Sequence, residues 1–99
     1  MTNPFIHADG SQRWYVNGLW HRLDGPAYIS AEGRQEWWVD GEMHRLDGPA
    51  YIDADGRQRW CIYNRKITNE VLAWIEQLGL PPWEQWTDTE KTLFRISFS

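Results

Sequence analysis

The residues best suited to chemistry are His21 and His44, each followed three places later by an aspartate, Asp24 and Asp47. An imidazole and a carboxylate at that spacing can converge on a metal ion or share a proton as an acid–base pair. Both sets recur at the same place in a repeated segment, however, and a device present in every unit reads as structural. Asp then shapes an Asp-Gly-Pro turn, and His donates across a hairpin. Cys61 is the one cysteine. As a nucleophile it would need a nearby base and oxyanion donors, and no Cys-His-Asn arrangement is evident. It reads as a packed or half-exposed thiol. No Gly-rich phosphate loop, His-Glu-x-x-His or Gly-x-Ser-x-Gly occurs. The expectation is a protein that is not an enzyme, with no catalytic, cofactor-binding or metal-binding residues.

The elements that carry these residues must come from one small domain of 99 residues. A chain of that size buries only about two-thirds of the surface its unfolded form exposes, so its core is thin. Eight Trp, four Tyr and three Phe compensate, since each large ring can bury roughly 150–250 Å². A net charge of -4 with 24% charged residues argues against a basic patch for nucleic acid. A lone cysteine excludes an intramolecular disulfide and fits a reducing compartment. The start, Met-Thr-Asn-Pro-Phe-Ile-His, lacks the basic and apolar runs of a signal peptide, and no stretch approaches the roughly 18 apolar residues of a membrane span. A soluble, cytoplasmic protein that binds neither nucleic acid nor membrane is expected.

Displacing the sequence by 23 residues superimposes Trp14, Trp37 and Trp60, and likewise Gly10, Gly33 and Gly56. The run His21-Arg22-Leu23-Asp24-Gly25-Pro26-Ala27-Tyr28-Ile29 returns unchanged as residues 44–52. A third unit keeps Ala54, Gly56, Arg57, Gln58 and Trp60, then leaves the pattern at Asn64. Asn17-Gly18 and Asp40-Gly41 between aromatic and β-branched runs signal type I′ hairpin turns. Residues 31–33 and 54–56 supply a second turn per unit, ending in a left-handed glycine. Proline at 26 and 49 has no ladder donor and must sit at a strand start or an edge.

These signals predict a mainly β protein: a meandering antiparallel sheet of about 2.5 repeats over residues 7–63, two short strands per unit, and a cap over 64–99. Period-two alternation puts Gln12, Trp14 and Val16, with Gln35, Trp37, Val39 and Gln58, Trp60, Ile62, on the core side. Equal spacing of the tryptophans predicts a continuous ladder of stacked rings. Arg13, Tyr15, Glu36, Trp38, Arg59, Cys61 and Tyr63 fall on a half-solvated face. Thr68 or Asn69 can cap a helix running to about Leu78, with Val71, Leu72, Ile75 and Leu78 as its apolar stripe and Gly79 as its stop. Pro81-Pro82 breaks the chain, and residues 92–98 alternate as a final strand with Phe94, Ile96 and Phe98 inward.

The order Trp, Asn-Gly, two residues, His, then Gly within 23 residues resembles the MORN repeat family and its bacterial relatives, over roughly residues 7–67. His-Arg-Leu-Asp-Gly-Pro-Ala is closer still to a MORN-like class found in predicted proteins of tailed bacteriophages, whose arrays end in a short helical tail. The His-Gly-x-Gly of MORN units is replaced here by His21-Arg22-Leu23-Asp24-Gly25, so the lipid binding attributed to some MORN proteins does not carry over. The resemblance implies a repeat scaffold for binding, hairpin units in an elongated sheet and a phage origin, with the host cytoplasm as location.

Positions where the two full units differ are free to specialise: Tyr15 against Trp38, Leu19 against Glu42, Trp20 against Met43. Trp, Tyr and Met are enriched in interface cores. Tyr15, Trp20, Trp38 and Met43, joined by Trp83 and Trp86 near the Pro-Pro break, form the expected partner-binding set. The expected partner is a bacterial protein; the alternative is a structural accessory of a phage particle that self-associates.

Overall fold

The computed structural model describes residues 4–99. Each 23-residue unit contributes four strands of two residues. The first unit carries β1 (Phe5–Ile6), β2 (Gln12–Arg13), β3 (Tyr15–Val16) and β4 (Leu19–Trp20); the second carries β5 (Tyr28–Ile29), β6 (Gln35–Glu36), β7 (Trp38–Val39) and β8 (Glu42–Met43). The third repeats the set as β9 (Tyr51–Ile52), β10 (Gln58–Arg59), β11 (Cys61–Ile62) and β12 (Arg65–Lys66). Two strands of each unit enter one antiparallel sheet of order β1-β2-β5-β6-β9-β10. The other two form separate hairpins, β3-β4, β7-β8 and β11-β12. The mainly β meander is therefore present, but with two tiers and four strands per unit rather than two strands in a single tier.

The mirror-image turns are where the sequence places them: Asn17 and Gly18 have φ of 54° and 78°, Asp40 and Gly41 51° and 77°. A third turn of the same hand occurs at Tyr63 and Asn64, with φ of 44° and 67°, so the pattern continues past Asn64 instead of ending there. Left-handed backbone costs a non-glycine residue roughly 1–2 kcal/mol. Asn64 offsets this by donating its amide to the Met43 carbonyl at 2.9 Å and accepting the Met43 amide on its side-chain oxygen at 2.7 Å.

The repeated tryptophans sit at the corner between tiers. Trp14 donates its amide to the Ala27 carbonyl and accepts from His21; Trp37 does the same with Ala50 and His44. Trp14 and Trp60 are buried, whereas Trp37 is half-buried. Trp14 and Trp37 each carry an arginine on the ring, so the expected ladder of directly stacked rings is replaced by tryptophan–arginine pairs. The face assignment also changes, because two-residue strands end at the corner before alternation can extend. Paired across the sheet, Arg13, Tyr28, Glu36, Tyr51 and Arg59 share one row, in which Tyr28 and Glu36 are buried. Gln12, Gln35 and Gln58 lie in the opposite row with the isoleucines and are only half-buried.

At the third corner the cap takes over. Trp60 donates to the Thr68 hydroxyl at 3.0 Å, and its carbonyl accepts from Ile67 at 2.9 Å. Helix α1 (Thr68–Leu78) starts there and stops at Gly79, whose φ is 62°. Its inner face is Val71, Trp74 and Ile75; Leu72 and Leu78 are exposed. After Pro81-Pro82 a 3₁₀ turn spans Trp83–Gln85, and residues Asp88–Phe98 form a second helix, α2, in place of the expected strand. Thr87 and Glu90 build a capping box at its start, with the Thr87 amide and hydroxyl donating to the Glu90 carboxylate at 3.1 and 2.7 Å. Phe94 and Phe98, four apart, then share a helical face toward the core while Ile96 is 75% exposed. The core lies at this end of the molecule: Trp60, Ile62, Ile67, Val71, Trp86 and Phe94, with Leu46, Trp74 and Trp83 packed on it.

Candidate interaction site

Consecutive hairpins stack edge to edge, and the repeated residues make the joints. The Gly41 amide donates to the Trp20 carbonyl, the Asn64 amide to the Met43 carbonyl, and Arg22 and Arg45 donate to the carbonyls of Trp38 and Cys61. His21 Nδ1 accepts the Asp40 amide and His44 Nδ1 accepts the Tyr63 amide, both at 3.1 Å. The histidines are thus acceptors from the next unit's turn, not donors across their own hairpin. Burial holds the His44 imidazole below its ordinary pKa, with Glu42 opposing, which suits an Nδ1 that must stay unprotonated to accept.

The aspartates serve the arginines. Arg22 Nε donates to Asp24 at 2.9 Å and its Nη1 to the Pro26 carbonyl at 3.2 Å, with the guanidinium 4.0 Å from the Trp14 ring centre. Arg45 repeats this with Asp47 at 2.8 Å, Pro49 at 3.1 Å and Trp37 at 3.9 Å. The hydrogen bond from Arg22 holds the Asp24 carboxyl below the usual range. His-Arg-Leu-Asp-Gly-Pro therefore encodes a clamp: imidazole on the next turn, guanidinium on the preceding tryptophan. Cys61 is buried, and desolvation raises its thiol pKa, the opposite of what nucleophilic activation requires. Among the described residues no group of three or more His, Cys, Asp or Glu could hold a metal ion, and no helix is long and apolar enough to cross a membrane.

Of the six expected partner-binding residues, the hairpin tier brings Tyr15, Trp20 and Trp38 together. Trp20 stacks on Tyr28 at 5.3 Å and meets Trp38 edge-on at 5.2 Å and Tyr15 at 6.4 Å. Arg13 and Arg34 lie over Tyr28 at 5.3 and 5.1 Å, and the Trp38 indole donates to Glu36 at 3.0 Å. Met43 pairs across β7-β8 with Trp38. Tyr15 is 37% exposed, and Trp20, Trp38 and Met43 are half-buried. Trp83 and Trp86 lie elsewhere, in the cap. Trp86 is buried against Trp60 and donates its indole to the Pro81 carbonyl at 3.0 Å; Trp83 lies against Arg45 and Trp60. They hold the cap to the array and are not part of the hairpin surface.

No family model, curated protein or solved structure matches the chain.

Proposed function

We propose that the protein is a non-enzymatic, phage-encoded binding module that engages a bacterial protein, either inhibiting a host defence or serving as the ligand a defence system senses. The observation that carries this reading is the cluster of Tyr15, Trp20 and Trp38 with Met43 on the hairpin tier. The backbone plan requires no ring at these positions, since β7-β8 and β11-β12 build the same hairpins with Met43, Cys61 and Lys66 there. Large rings held rigid by stacking and by Arg13 lose little entropy on binding, which suits them as interface anchors. The phage and host elements of the reading rest on the resemblance of the repeat.

Immobilised protein should recover one stoichiometric partner from bacterial lysate, and the double variant Tyr15→Ala, Trp38→Ala, checked for an unchanged circular dichroism spectrum, should lose it. Retention of the partner by a folded double variant would count against this surface. A second reading, self-association within a phage particle, is favoured by β1, whose outer edge is unpaired among the described residues and whose Phe5 and Ile6 are both 61% exposed. Light scattering decides that reading: a monomer mass at all concentrations would count against it, and a defined oligomer would favour it.

A further inference from the structure

A cavity of about 630 Å³ opens between the loops of the first two units and is reached by Tyr63 of the third and Arg95 of the cap; Arg22, Leu23, Gly25, Trp37, Val39 and His44 are on its wall, and so are Arg45 and Leu46. Advancing the first six by one repeat gives Arg45, Leu46, Gly48, Trp60, Ile62 and Ile67. Four of the six, Leu46, Trp60, Ile62 and Ile67, belong to the packed core into which the cap inserts Trp83, Trp86 and Phe94. Trp83 also rests 5.0 Å from the Arg45 guanidinium and against the Gly48 backbone. The same set of positions thus occurs twice, once filled by the chain's own rings and once open, with Arg45 and Leu46 shared between the two.

The open copy shows what is missing. Leu46 packs on the cap, whereas Leu23 is 80% exposed. Arg45 lies against two rings, Trp37 and Trp83; among the described residues Arg22 lies against Trp14 alone. At the rim stands Arg95 of α2, whose guanidinium makes no hydrogen bond or ion pair among the described residues. The cap's own insert is Trp83-Glu84-Gln85-Trp86, in which a carboxylate follows the indole.

We propose that this cavity is a docking site for a tryptophan-bearing, acidic turn of a partner protein, its indole lying on Arg22 and Gly25 as Trp83 lies on Arg45 and Gly48. A flat ring fits because glycine at 25 leaves the guanidinium bare: a Cβ there would meet the Arg22 Cζ at 2.8 Å. Asp24 and Asp47 are also on the wall but are held by Arg22 and Arg45 at 2.9 and 2.8 Å, so an acidic residue beside the indole would pair with Arg95. The site rests on the reading of the protein as a binding module and is separate from the Trp20–Trp38 cluster.

The test is a titration of the isotope-labelled full chain with the peptide acetyl-Pro-Pro-Trp-Glu-Gln-Trp-amide, followed by amide chemical shifts. Saturable shifts at Leu23, Gly25 and Val39 are expected, lost when both tryptophans of the peptide are alanine and weakened about threefold or more when its glutamate is lysine. Leu23→Asp, on a side chain already in solvent, should weaken binding at least about fivefold with no change in unfolding temperature. Absence of saturable shifts would overturn the proposal, as would tighter binding of adenosine monophosphate, which would make the occupant a nucleobase. Shifts centred on Trp20 and Trp38 would overturn it while supporting the hairpin surface. The lysate partner separates the two sites in the same way, since Leu23→Asp and the Tyr15, Trp38 double variant report on different faces.

Discussion

The junction between the first and second units and the junction between the second unit and the third, onto which the cap folds, are built from the same nonapeptide, yet one is open and the other holds the core. At the first, Trp37 and Val39 face a cavity beside Leu23; at the second, Trp60 and Ile62 are buried under Trp86 and Phe94. Hydrogen bonding distinguishes them little: both loops carry the same arginine clamp, and the corners differ in one partner, since the Trp37 amide donates to the Ala50 carbonyl and the Trp60 amide to the Thr68 hydroxyl. The difference is the apolar surface supplied by α1, α2 and the turn between them. In a repeat array each unit buries its face only against a neighbour, so stability concentrates where a neighbour is large and apolar. Here that is the C-terminal end, and the other junction is left free to bind.

The strongest way to break this comparison is to remove the two equivalent rings. Trp60 is 1% exposed and touches Trp83, Trp86 and Phe94. Trp60→Ala should therefore cost about 3–5 kcal/mol in a urea or guanidinium melt. Trp37 is half-buried beside the cavity, and Trp37→Ala should cost about 1–2 kcal/mol, mainly through the lost Arg45 contact. Equal losses would mean that the two junctions are equally packed.

A methyl group sharpens it further. At Gly48 an added Cβ would meet the Arg45 Cζ at 2.8 Å and the Trp83 Cε3 at 3.0 Å, with the arginine held between two rings. At Gly25 the three nearest contacts all belong to the tip of Arg22, which has the cavity beside it. Gly48→Ala should destabilise by about 1–3 kcal/mol and Gly25→Ala by about 1 kcal/mol or less, both read as shifts in denaturation midpoint. A reversed order would show that Arg22, not Arg45, is the more confined.

How much of this was written legibly in the sequence follows from which signals were local. The period is carried by Trp14, Trp37 and Trp60, and the first two turns by Asn-Gly and Asp-Gly, whose left-handed backbone has few alternatives. The division into two tiers left no such mark, because strands of two residues are too short to show alternation. The third turn was hidden because Tyr63-Asn64 has no glycine and depends on Met43, a distant residue, for its partner. In 92–98, Phe94, Ile96 and Phe98 fit a period of two as well as Phe94 and Phe98 fit a helical face; the deciding signal was Thr87 with Glu90, upstream of the apolar run. For the site, unit-to-unit differences singled out Tyr15, Trp20 and Trp38, which do meet. Trp83 and Trp86 were misplaced because a Pro-Pro break reads as exposed loop, while here it turns both rings onto Trp60. The cavity itself had no signature, since Arg22, Leu23, Gly25, Trp37 and Val39 on its wall recur as the same or similar residues where the cap covers them, and only His44 against Ile67 differs in kind.

The junctions also differ in one titratable side chain, His44 against Ile67, and this gives the smallest and most selective effect. His44 is neutral in the fold, accepting the Tyr63 amide and stacked on the Tyr63 ring at 3.8 Å, and burial keeps its pKa below the ordinary 6.5. As pH falls through about 6.5 the unfolded chain therefore takes up protons that the folded chain refuses, and stability declines until the lower folded pKa is reached. The carboxyls of Asp9, Asp24 and Glu90, held low by hydrogen bonds from Ser11, Arg22 and Thr87, act in the same direction but only as pH falls below about 4.5. Between pH 6.5 and 5 the decline should thus carry a His44 component. His44→Asn, which keeps an acceptor oxygen near Nδ1 but cannot titrate, should flatten the dependence of the unfolding midpoint on pH across that interval. An unchanged slope in the variant would place the proton uptake elsewhere and remove His44 from the difference between the two junctions.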